Sequence, residues 1–323
     1  MRVAYIGNFR PFHSTENEVR KAWEALGAAV LPLQEDECDW QGLPALVDSE
    51  RVDLVMWTRT ADLDRATNGT KLLALTELEA RGVPSVAYHL DRWWGLRRQH
   101  EIAEQPFFRC AVVVTADGGH QDRWEAEGVN HRWLPPAVSE FECSPGTPRD
   151  EYASDVAFVG SWQGYHREWK HRPALVRCLQ HSWPGRVRFW PEPGQPSVRG
   201  DALRDLYASV KVIVGDSCLA GGATHYWSDR IPETIGRGGF LLHPNVVGLD
   251  EHFTPGTHLV TWDLGDWTAL RDLVDQFLED HVARETIADA GRAHVLKHHT
   301  YTVRMRQVID LVNAEGYFVP EPS

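Results

Sequence analysis

An arginine, a glutamate and a glycine pair lie close together in the segment SDRIPETIGRGGF, at residues 228–240. Pro232 is typical of the first turn of a helix, because the backbone N–H that it lacks would have no partner there. The pattern therefore predicts that Arg230 and Glu233 lie in the first turn of a helix that ends at Gly238-Gly239. A carboxylate in that turn is stabilised by the helix dipole, and the free N–H groups of the turn can bind phosphate. An acid that can bind two hydroxyl groups beside such N–H groups indicates a nucleotide-sugar site, although an ordinary helix start has the same residues.

Two further motifs follow the glycine pair. Phe253 and Gly256 form an F-x-x-G turn, and residues 290–304 contain the pattern A-G-R…H-T-Y-x-x-R, which ends at Arg304. Together with the R-x-x-E…G-G helix, these motifs resemble the C-terminal half of CgeB-like (spore-maturation-type) glycosyltransferases of the GT-B group. The resemblance covers roughly residues 200–310, and the first half matches only in its alternating strand–helix order. It implies transfer of a sugar from a nucleotide diphosphate sugar to an acceptor, and a final helix that crosses back to the first domain.

Composition limits the classes of partner. A chain of 323 residues is long for one core and suits two domains. The formal net charge of −13 argues against a nucleic-acid or anionic-membrane partner, since phosphate contacts need a basic face. No apolar run approaches the roughly 20 residues of a membrane span. The five cysteines are scattered and contain no C-x-x-C pair, and the N-terminal sequence enters a strand directly, so we expect a cytoplasmic protein.

Apolar strands alternate with amphipathic helices along the chain, which predicts parallel sheets covered on both faces. The expected fold class is α/β, with two Rossmann-like domains facing each other across a cleft, as in the GT-B group. The first turn has Gly7 alone instead of the dinucleotide fingerprint, so NAD binding is disfavoured. Residues 139–154 are rich in Pro, Gly, Ser and acids and indicate a linker. The predicted boundaries are an acceptor domain at 1–145, a nucleotide-sugar domain at 151–300 and the final crossing helix at 301–323.

Ligands of open α/β sheets bind beyond the carboxyl ends of the strands, so the loops after the strands are the candidate sites. In the second domain, Gly160-Ser161 follows a strand directly and allows close approach of the backbone to a ligand. Arg167 and Lys170 come next and are placed to stabilise a diphosphate leaving group. GT-B enzymes use basic side chains in this role without a metal, and the resemblance implies the same here, so no cofactor is expected besides the donor substrate. A solvated helix face is the alternative interpretation of these charges.

The loop before Glu233 contains His225, Tyr226 and Arg230, which are further candidates for nucleotide-sugar binding. Many retaining GT-B enzymes have an acid eight residues before the ribose-binding glutamate, whereas this chain has His225 there. The stereochemical outcome therefore stays open. Tyr226 and Trp227 are placed either to stack on a base or to pack within the domain.

In the first domain, His13 and Asp91 follow strands and are the candidates for the base that takes the proton of the acceptor hydroxyl. A surface or capping role is the alternative for His13. The acceptor-binding candidates share one segment and are His89, Trp93, Trp94, Arg97 and Arg98. Asp62 and Asp64 form a D-x-D pair, which we interpret as an ordinary acidic loop and not a metal site.

The acceptor is the least determined part of the prediction. The acidic balance favours a small or glycan-like acceptor, while the arginines and tryptophans at 92–98 leave DNA possible, including an extruded base. DNA-base glycosylation, sugar-nucleotide epimerisation and non-catalytic nucleotide-sugar binding are the alternative functions.

Overall fold

The structure is a computed structural model that describes residues 1–60, 65–163, 167–220 and 222–321. The chain divides into two compact units. The first unit comprises Met1–Pro135 and Tyr301–Ser323, and the second comprises Pro136–Thr300. The linker-like segment at 139–154 lies within the second unit. No helix in the described part of the chain is both long and apolar enough to cross a membrane.

The first unit is built on a sheet of six strands with parallel pairing throughout. The strands are β1 (Arg2–Gly7), β2 (Ala29–Gln34), β3 (Leu54–Trp57), β4 (Ser85–His89), β5 (Val112–Thr115) and β6 (His131–Trp133). Their order is β2-β1-β3-β4-β5-β6. The helices up to β6 are α1 (Thr15–Ala25), α2 (Leu43–Glu50), α3 (Asn68–Ala80), α4 (Glu101–Glu104) and α5 (Gln121–Ala126). Strand β6 was not predicted, because its three residues, His-Arg-Trp, form no apolar run.

Local sequence explains how the first helix begins and which face it buries. The hydroxyl of Ser14 accepts the backbone N–H of Asn17 and caps α1. Val19, Ala22 and Trp23 recur at helical spacing, and all three are buried in the core. The capping residue and the apolar spacing together orient α1 after β1, and this fixes the loop between them.

The second unit is built on a sheet of five parallel strands. The strands are β7 (Ser154–Val159), β8 (Val187–Trp190), β9 (Val210–Val214), β10 (Leu241–Pro244) and β11 (Val260–Trp262). Their order is β11-β10-β9-β7-β8. The helices are α6 (Arg172–Ser182), α7 (Gly200–Ser209), α8 (Arg230–Gly236), α9 (Trp267–Glu279) and α10 (His281–His298). The predicted α/β class with two Rossmann-like parallel sheets is confirmed.

The last helix, α11 (Tyr301–Ala314), belongs to the first unit and packs against α1. Its residue Arg304 is buried and donates from Nε to the backbone carbonyl of Pro135 at 2.6 Å. The next residue, Met305, is fully buried as well. The arginine of the H-T-Y-x-x-R motif thus ties α11 to the end of the segment that follows β6.

Candidate functional site

The second unit has a topological switch point between β7 and β9. From β7 the chain continues to β8 on one side of the sheet, and from β9 it continues to β10 on the other. At such a point the two connections diverge and leave a crevice beyond the carboxyl ends of the strands. Gly160 and Ser161 follow β7, and residues 215–217 follow β9. These residues form the floor of the candidate site.

Gly160 and Arg230 are in close contact at this edge. The Nη1 of Arg230 donates to the carbonyl of Val159 at 2.7 Å. Gly160 has a φ of +150°, and a Cβ at this position would lie 3.0 Å from Cζ of Arg230. A side chain there would strain the backbone and displace the guanidinium. The glycine therefore makes room for a cation directly above the end of β7. Burial lowers the pKa of Arg230, but the nearby acids, Glu233 foremost, outweigh it and leave that pKa raised.

Arg172 holds the same loop and is a residue that the sequence did not single out. Its guanidinium forms a buried bidentate pair with Asp216, with Nε–Oδ2 at 2.9 Å and Nη2–Oδ1 at 2.7 Å. Its Nη1 donates to the carbonyl of Ser161 at 2.8 Å. Burial raises the pKa of Asp216, and the bonds from Arg172 oppose this. The pair joins the loop after β7 to the loop after β9, and only the fold brings these two residues together.

A chain of hydrogen bonds fixes the loop that leads into α8. The pKa of His243 is lowered to about 4 by burial, so its ring is neutral near pH 7. Its Nδ1 lies 2.8 Å from the carbonyl of Pro244 and must carry the proton, which leaves Nε2 as an acceptor. The hydroxyl of Ser217 donates to that Nε2 at 2.8 Å and accepts the backbone N–H of Ser228 at 2.8 Å. The start of α8 is therefore fixed relative to β9 and β10.

Glu233 lies in the first turn of α8, as its place after Pro232 predicts. Its side chain is 20% exposed, and its Oε1 lies 3.9 Å from Nη1 of Arg199 and 3.8 Å from Nη1 of Arg237. Arg237 is buried and is held by the carbonyl of Glu233 at 3.0 Å. The carboxylate is thus partly accessible and lies in a positive environment without a direct hydrogen bond from either arginine at these distances. Such an acid keeps acceptor sites available for ligand hydroxyl groups.

His225 and Tyr226 differ in exposure. His225 has a φ of +50° and packs over Gly248, where a Cβ would lie 2.4 Å from the imidazole. Its Nε2 lies 3.2 Å from Oε1 of Glu251. Tyr226 is 5% exposed, and Trp227 is fully buried. Both aromatic rings pack within the second unit, so their burial favours the packing role over base stacking.

Arg167 and Lys170 are exposed in the loop before α6. Neither has an ion-pair partner among the residues that the structure describes. Ser161, in the same loop, is exposed as well. The two cations are accessible to an anionic ligand, as the diphosphate hypothesis requires.

In the first unit, the loop after β1 presents His13 to solvent. The side-chain amide of Asn17 donates to the carbonyls of Phe9 and Pro11, each at 2.9 Å, and so shapes this loop. Phe12 is 75% exposed beside His13, with ring centroids 4.8 Å apart. An imidazole next to an exposed aromatic ring is available to contact a bound molecule.

The segment after β4 carries the other candidate base, Asp91. The backbone N–H of Asp91 donates to Nδ1 of His89 at 3.0 Å, so this nitrogen is the acceptor of the imidazole. Burial lowers the pKa of His89 to about 4, which keeps it neutral. The carboxylate of Asp91 is exposed and accepts Nη1 of Arg98 at 3.1 Å. Arg97 is exposed as well.

The tryptophans of this segment differ from the expectation. Trp93 and Trp94 are 1% and 4% exposed and belong to the core of the first unit. Their rings pack against other aromatic rings, Trp93 against Phe108 and Trp94 against Trp124. They therefore offer no exposed face for stacking. Burial of such large apolar rings in the core is favoured over their exposure to water.

Asp117 is the residue of the first unit that sequence reasoning missed. It follows β5 and is fully buried, and its Oδ2 accepts the backbone N–H groups of Trp93 and Trp94, each at 2.8 Å. Burial raises its pKa to about 6, while these two bonds lower it. An acid just beyond a strand end was the available signal. The D-x-D pair Asp62 and Asp64 lies outside the described residues.

Comparison with known proteins bears on the fold and on the second half of the chain. Residues 150–310 match the family model described as "Glycosyl transferase-like". No curated protein matches the chain in sequence. Among solved structures, HepE from Anabaena in complex with UDP has a TM-score of 0.63 at 13% identity, covering 97% of this chain and 100% of that one.

Two other solved structures are similar over almost their whole length. A glycosyltransferase from Rickettsia africae ESF-5 has a TM-score of 0.62 at 12% identity, with 98% and 99% of the two chains covered. An alpha-glucosyltransferase in complex with UDP-glucose and DNA containing an abasic site has a TM-score of 0.65 at 11% identity, with 97% and 99% covered. These likenesses show that the chain has the GT-B glycosyltransferase fold.

Proposed function

We propose that this chain, which carries a glycosyl transferase-like segment on a GT-B fold, transfers a sugar from a nucleotide diphosphate sugar to an acceptor hydroxyl. The observation that carries the proposal is the floor of the second unit, where Arg230 lies over Gly160 at the switch point. A cation fixed beside the turn at Gly160-Ser161, where Ser161 is exposed, suits a diphosphate. The motifs at 230–304 further support a CgeB-like enzyme. The solved neighbours that hold UDP or UDP-glucose make UDP-sugars the first donors to test.

Each donor-side residue then has a role. Glu233 binds the ribose hydroxyls, because its partly exposed carboxylate has free acceptor sites. Arg230, Arg167 and Lys170 stabilise the charge that develops on the leaving nucleoside diphosphate, which is a large catalytic effect in a site shielded from water. Arg172 does not contact the donor in this proposal and instead holds the carbonyl of Ser161.

The acceptor side lies on the first unit. Asp91 and His13 are the two candidates for the base that takes the proton from the acceptor hydroxyl. The exposed carboxylate of Asp91 is paired with Arg98, which fixes its position. His13 is exposed and equally accessible.

Replacing Glu233 with Gln tests the donor site. Loss of a charge-assisted contact to ribose costs about 1.5–3 kcal/mol, which weakens donor binding by about 10- to 150-fold. Calorimetric titration with UDP-glucose and related sugar nucleotides measures this. Glu285→Gln, on an exposed position of α10, is the matched control. Donor affinity within twofold of the wild type in a folded Glu233→Gln variant would remove Glu233 from the site.

Turnover is proposed to be metal-independent, since arginine and lysine side chains supply the positive charge that a divalent ion would otherwise provide. Transfer measured in excess chelator should match transfer in magnesium. Activity that chelator abolishes and that only magnesium or manganese restores would contradict this proposal. The same assay, run without any acceptor, distinguishes an epimerase, which converts the donor alone, from a binding protein that leaves it unchanged.

A small or glycan-like acceptor is favoured over DNA. The net charge is −13, and the buried rings of Trp93 and Trp94 provide no stacking surface beside Arg97. Transfer to a panel of simple glycosides and to a DNA duplex, each at low and moderate salt, decides between them. Salt-sensitive DNA retention that Arg97→Ala removes and Arg306→Ala, exposed on α11, preserves would make nucleic acid the acceptor.

A further inference from the structure

The segment 91–98 of the first unit is anchored by Asp117, a residue that follows the neighbouring strand β5. The Oδ2 of Asp117 accepts two consecutive backbone N–H groups, those of Trp93 and Trp94, at 2.8 Å each. A carboxylate that accepts such bonds fixes both the position and the direction of a turn, because the two donors converge on one oxygen. Asp117 is itself held by its backbone N–H, which donates to the hydroxyl of Thr115 at 3.1 Å.

The anchored turn at Trp93-Trp94 fixes the positions of two side chains on either side of it, Asp91 and Arg98. The Nε of Arg98 donates to the carbonyl of Arg92 at 2.7 Å, and its guanidinium lies 4.6 Å from the ring centroid of Trp93. The same guanidinium binds the carboxylate of Asp91. Asp91 and Arg98 therefore take their positions from the backbone that Asp117 holds.

Arg92 adds a charge to this arrangement. It is 1% exposed, and its Nε lies 3.7 Å from Oδ1 of Asp117. A buried guanidinium beside a buried carboxylate is costly to separate, because either charge alone in the core would be uncompensated. The bonds and the charge pair together hold the segment against the core.

We propose that Asp117 is a positioning residue for acceptor binding, which sets the geometry of Asp91 and Arg98 without touching the acceptor. The inference rests on the proposed function, in which the segment 91–98 binds the acceptor. Asp117 is 0% exposed, so no ligand contacts it. Its removal should therefore disturb the acceptor side alone and leave the donor side, in the second unit, unchanged.

Three substitutions separate positioning from other roles. Asp117→Ala removes the accepting oxygen, and Asp117→Asn keeps an oxygen that can accept both N–H groups. Asp117→Glu keeps the charge but displaces the oxygen. The matched control is Asp53→Ala, because Asp53 accepts the backbone N–H of Arg2 at the opposite, amino-terminal edge of the same sheet.

The first readout is hydrogen exchange of the peptide that covers residues 91–98, measured by mass spectrometry. We expect exchange at Trp93 and Trp94 to become at least about tenfold faster in Asp117→Ala and Asp117→Glu. Asp117→Asn and Asp53→Ala should match the wild type in this peptide. Unchanged protection in both Asp117→Ala and Asp117→Glu would overturn the proposal. If Asp117→Ala does not fold, the comparison of Asp117→Glu with Asp117→Asn decides.

The second readout is kinetic and uses UDP-glucose with the glycoside that the wild type accepts best. Asp117→Ala should raise the KM for the acceptor at least about tenfold, with UDP-glucose affinity within twofold of the wild type, and Asp117→Asn should restore the KM to within about threefold. A loss of kcat that Asp117→Asn does not restore would instead make the carboxylic acid itself the reacting group and contradict a positioning role. Failure of the proposed function is distinct, since the wild type would then neither bind nor turn over UDP-glucose, while the exchange result would still stand.

Discussion

The two sheets have the same order over their first five strands, but several loops at their carboxyl edges are anchored by side chains of opposite charge. In the first unit, Glu35 accepts the backbone N–H of Thr60 at 2.9 Å, and Asp117 accepts those of Trp93 and Trp94. In the second unit, guanidinium groups instead donate to backbone carbonyls, from Arg172 to Ser161 and from Arg230 to Val159. Buried acids thus anchor the loop after β3 and the turn at Trp93-Trp94, where Arg98 also donates to the carbonyl of Arg92, whereas buried or half-buried cations anchor the loop after β7.

This difference suits the two edges to different ligands. A guanidinium that uses one N–H on a carbonyl keeps its charge and further donors, so the second edge is prepared for an anion. A carboxylate that anchors a turn leaves the exposed side chains of that turn free for proton transfer and hydroxyl binding. In the proposed function, the shared topology places both ligands beyond the carboxyl ends of the strands, and the charge of the anchoring side chains distinguishes the two ligands.

The largest expected effect comes from breaking the cation anchor of the second unit. Arg172→Ala leaves the carboxylate of Asp216 buried without its partner, which costs about 3–5 kcal/mol of folding free energy. Urea unfolding measures this, with Arg177→Ala, exposed on the same helix, as the control. A loss below about 1 kcal/mol would show that the loops after β7 and β9 do not depend on the pair.

The contribution of Asp117 to the stability of the first unit should depend on pH. Burial raises the pKa of Asp117 from 3.8 to about 6, so its contribution to stability is full below about pH 4 and is lost as the pH rises through 6. The wild type should therefore lose up to about 3 kcal/mol relative to Asp117→Asn between pH 4 and pH 7. Unfolding midpoints at a series of pH values measure the difference.

Titration of other ionisable groups in this region must be excluded as the cause of this pH dependence. Arg92 and Arg98 act on Asp117 directly, and His131 on β6 shares the hydroxyl of Thr115 with it. His120, just before α5, interacts with Arg92 and with Arg123 in α5. The pKa of His131 is lowered to about 3 by burial, so it stays neutral over this range. A difference between the wild type and Asp117→Asn that is constant with pH would contradict the assignment.

The opposite sign is expected at Asp155 of the second unit. Its pKa is lowered, first by the hydrogen bond from Lys211, so its contribution is present above pH 4 and is lost as the pH falls through the lowered pKa. Asp155→Asn should therefore be destabilising near neutral pH and lose that effect in acid. Asp155 lies at the start of β7, and matching pH profiles for the two aspartate variants would contradict the opposite directions of the two pKa shifts.

The smallest expected effect concerns the glycine below Arg230. Gly160→Ala forces a side chain into a left-handed backbone and against the guanidinium, at a cost of about 1–3 kcal/mol of folding free energy, and the displaced guanidinium should also weaken UDP-glucose binding. Gly185→Ala is the matched control, because Gly185 has a φ of +75° with open space around its Cβ position. Equal UDP-glucose affinities in the two variants would exclude the contact with Arg230 as the cause.

Local patterns were sufficient for the elements and for part of the site. Apolar runs predicted nine of the eleven strands in outline, because buried parallel strands are continuous apolar segments. The two that were not predicted, β6 and β11, have three residues each. The place of Glu233 in the first turn of α8 followed from Pro232, the residue directly before it. Charged residues near strand ends, such as Arg167 and Lys170, could be named as candidates, but their exposure could not be predicted. A loop sequence has no hydrophobic periodicity from which exposure follows.

The α/β class, the alternation that builds two parallel sheets and the candidate loops at the strand ends could all be read from the order of apolar and polar residues. Which of those loop residues meet depends on the folded structure. Arg172 and Asp216 are 44 residues apart, and Asp117 reaches Trp93 across 24 residues. It also placed Trp93 and Trp94 in the core, since a ring beside a strand end is buried or exposed according to the neighbouring loop. Hydrophobic periodicity is a local property, whereas hydrogen bonds between loops depend on strand order, and strand order is set by the packing of the whole unit.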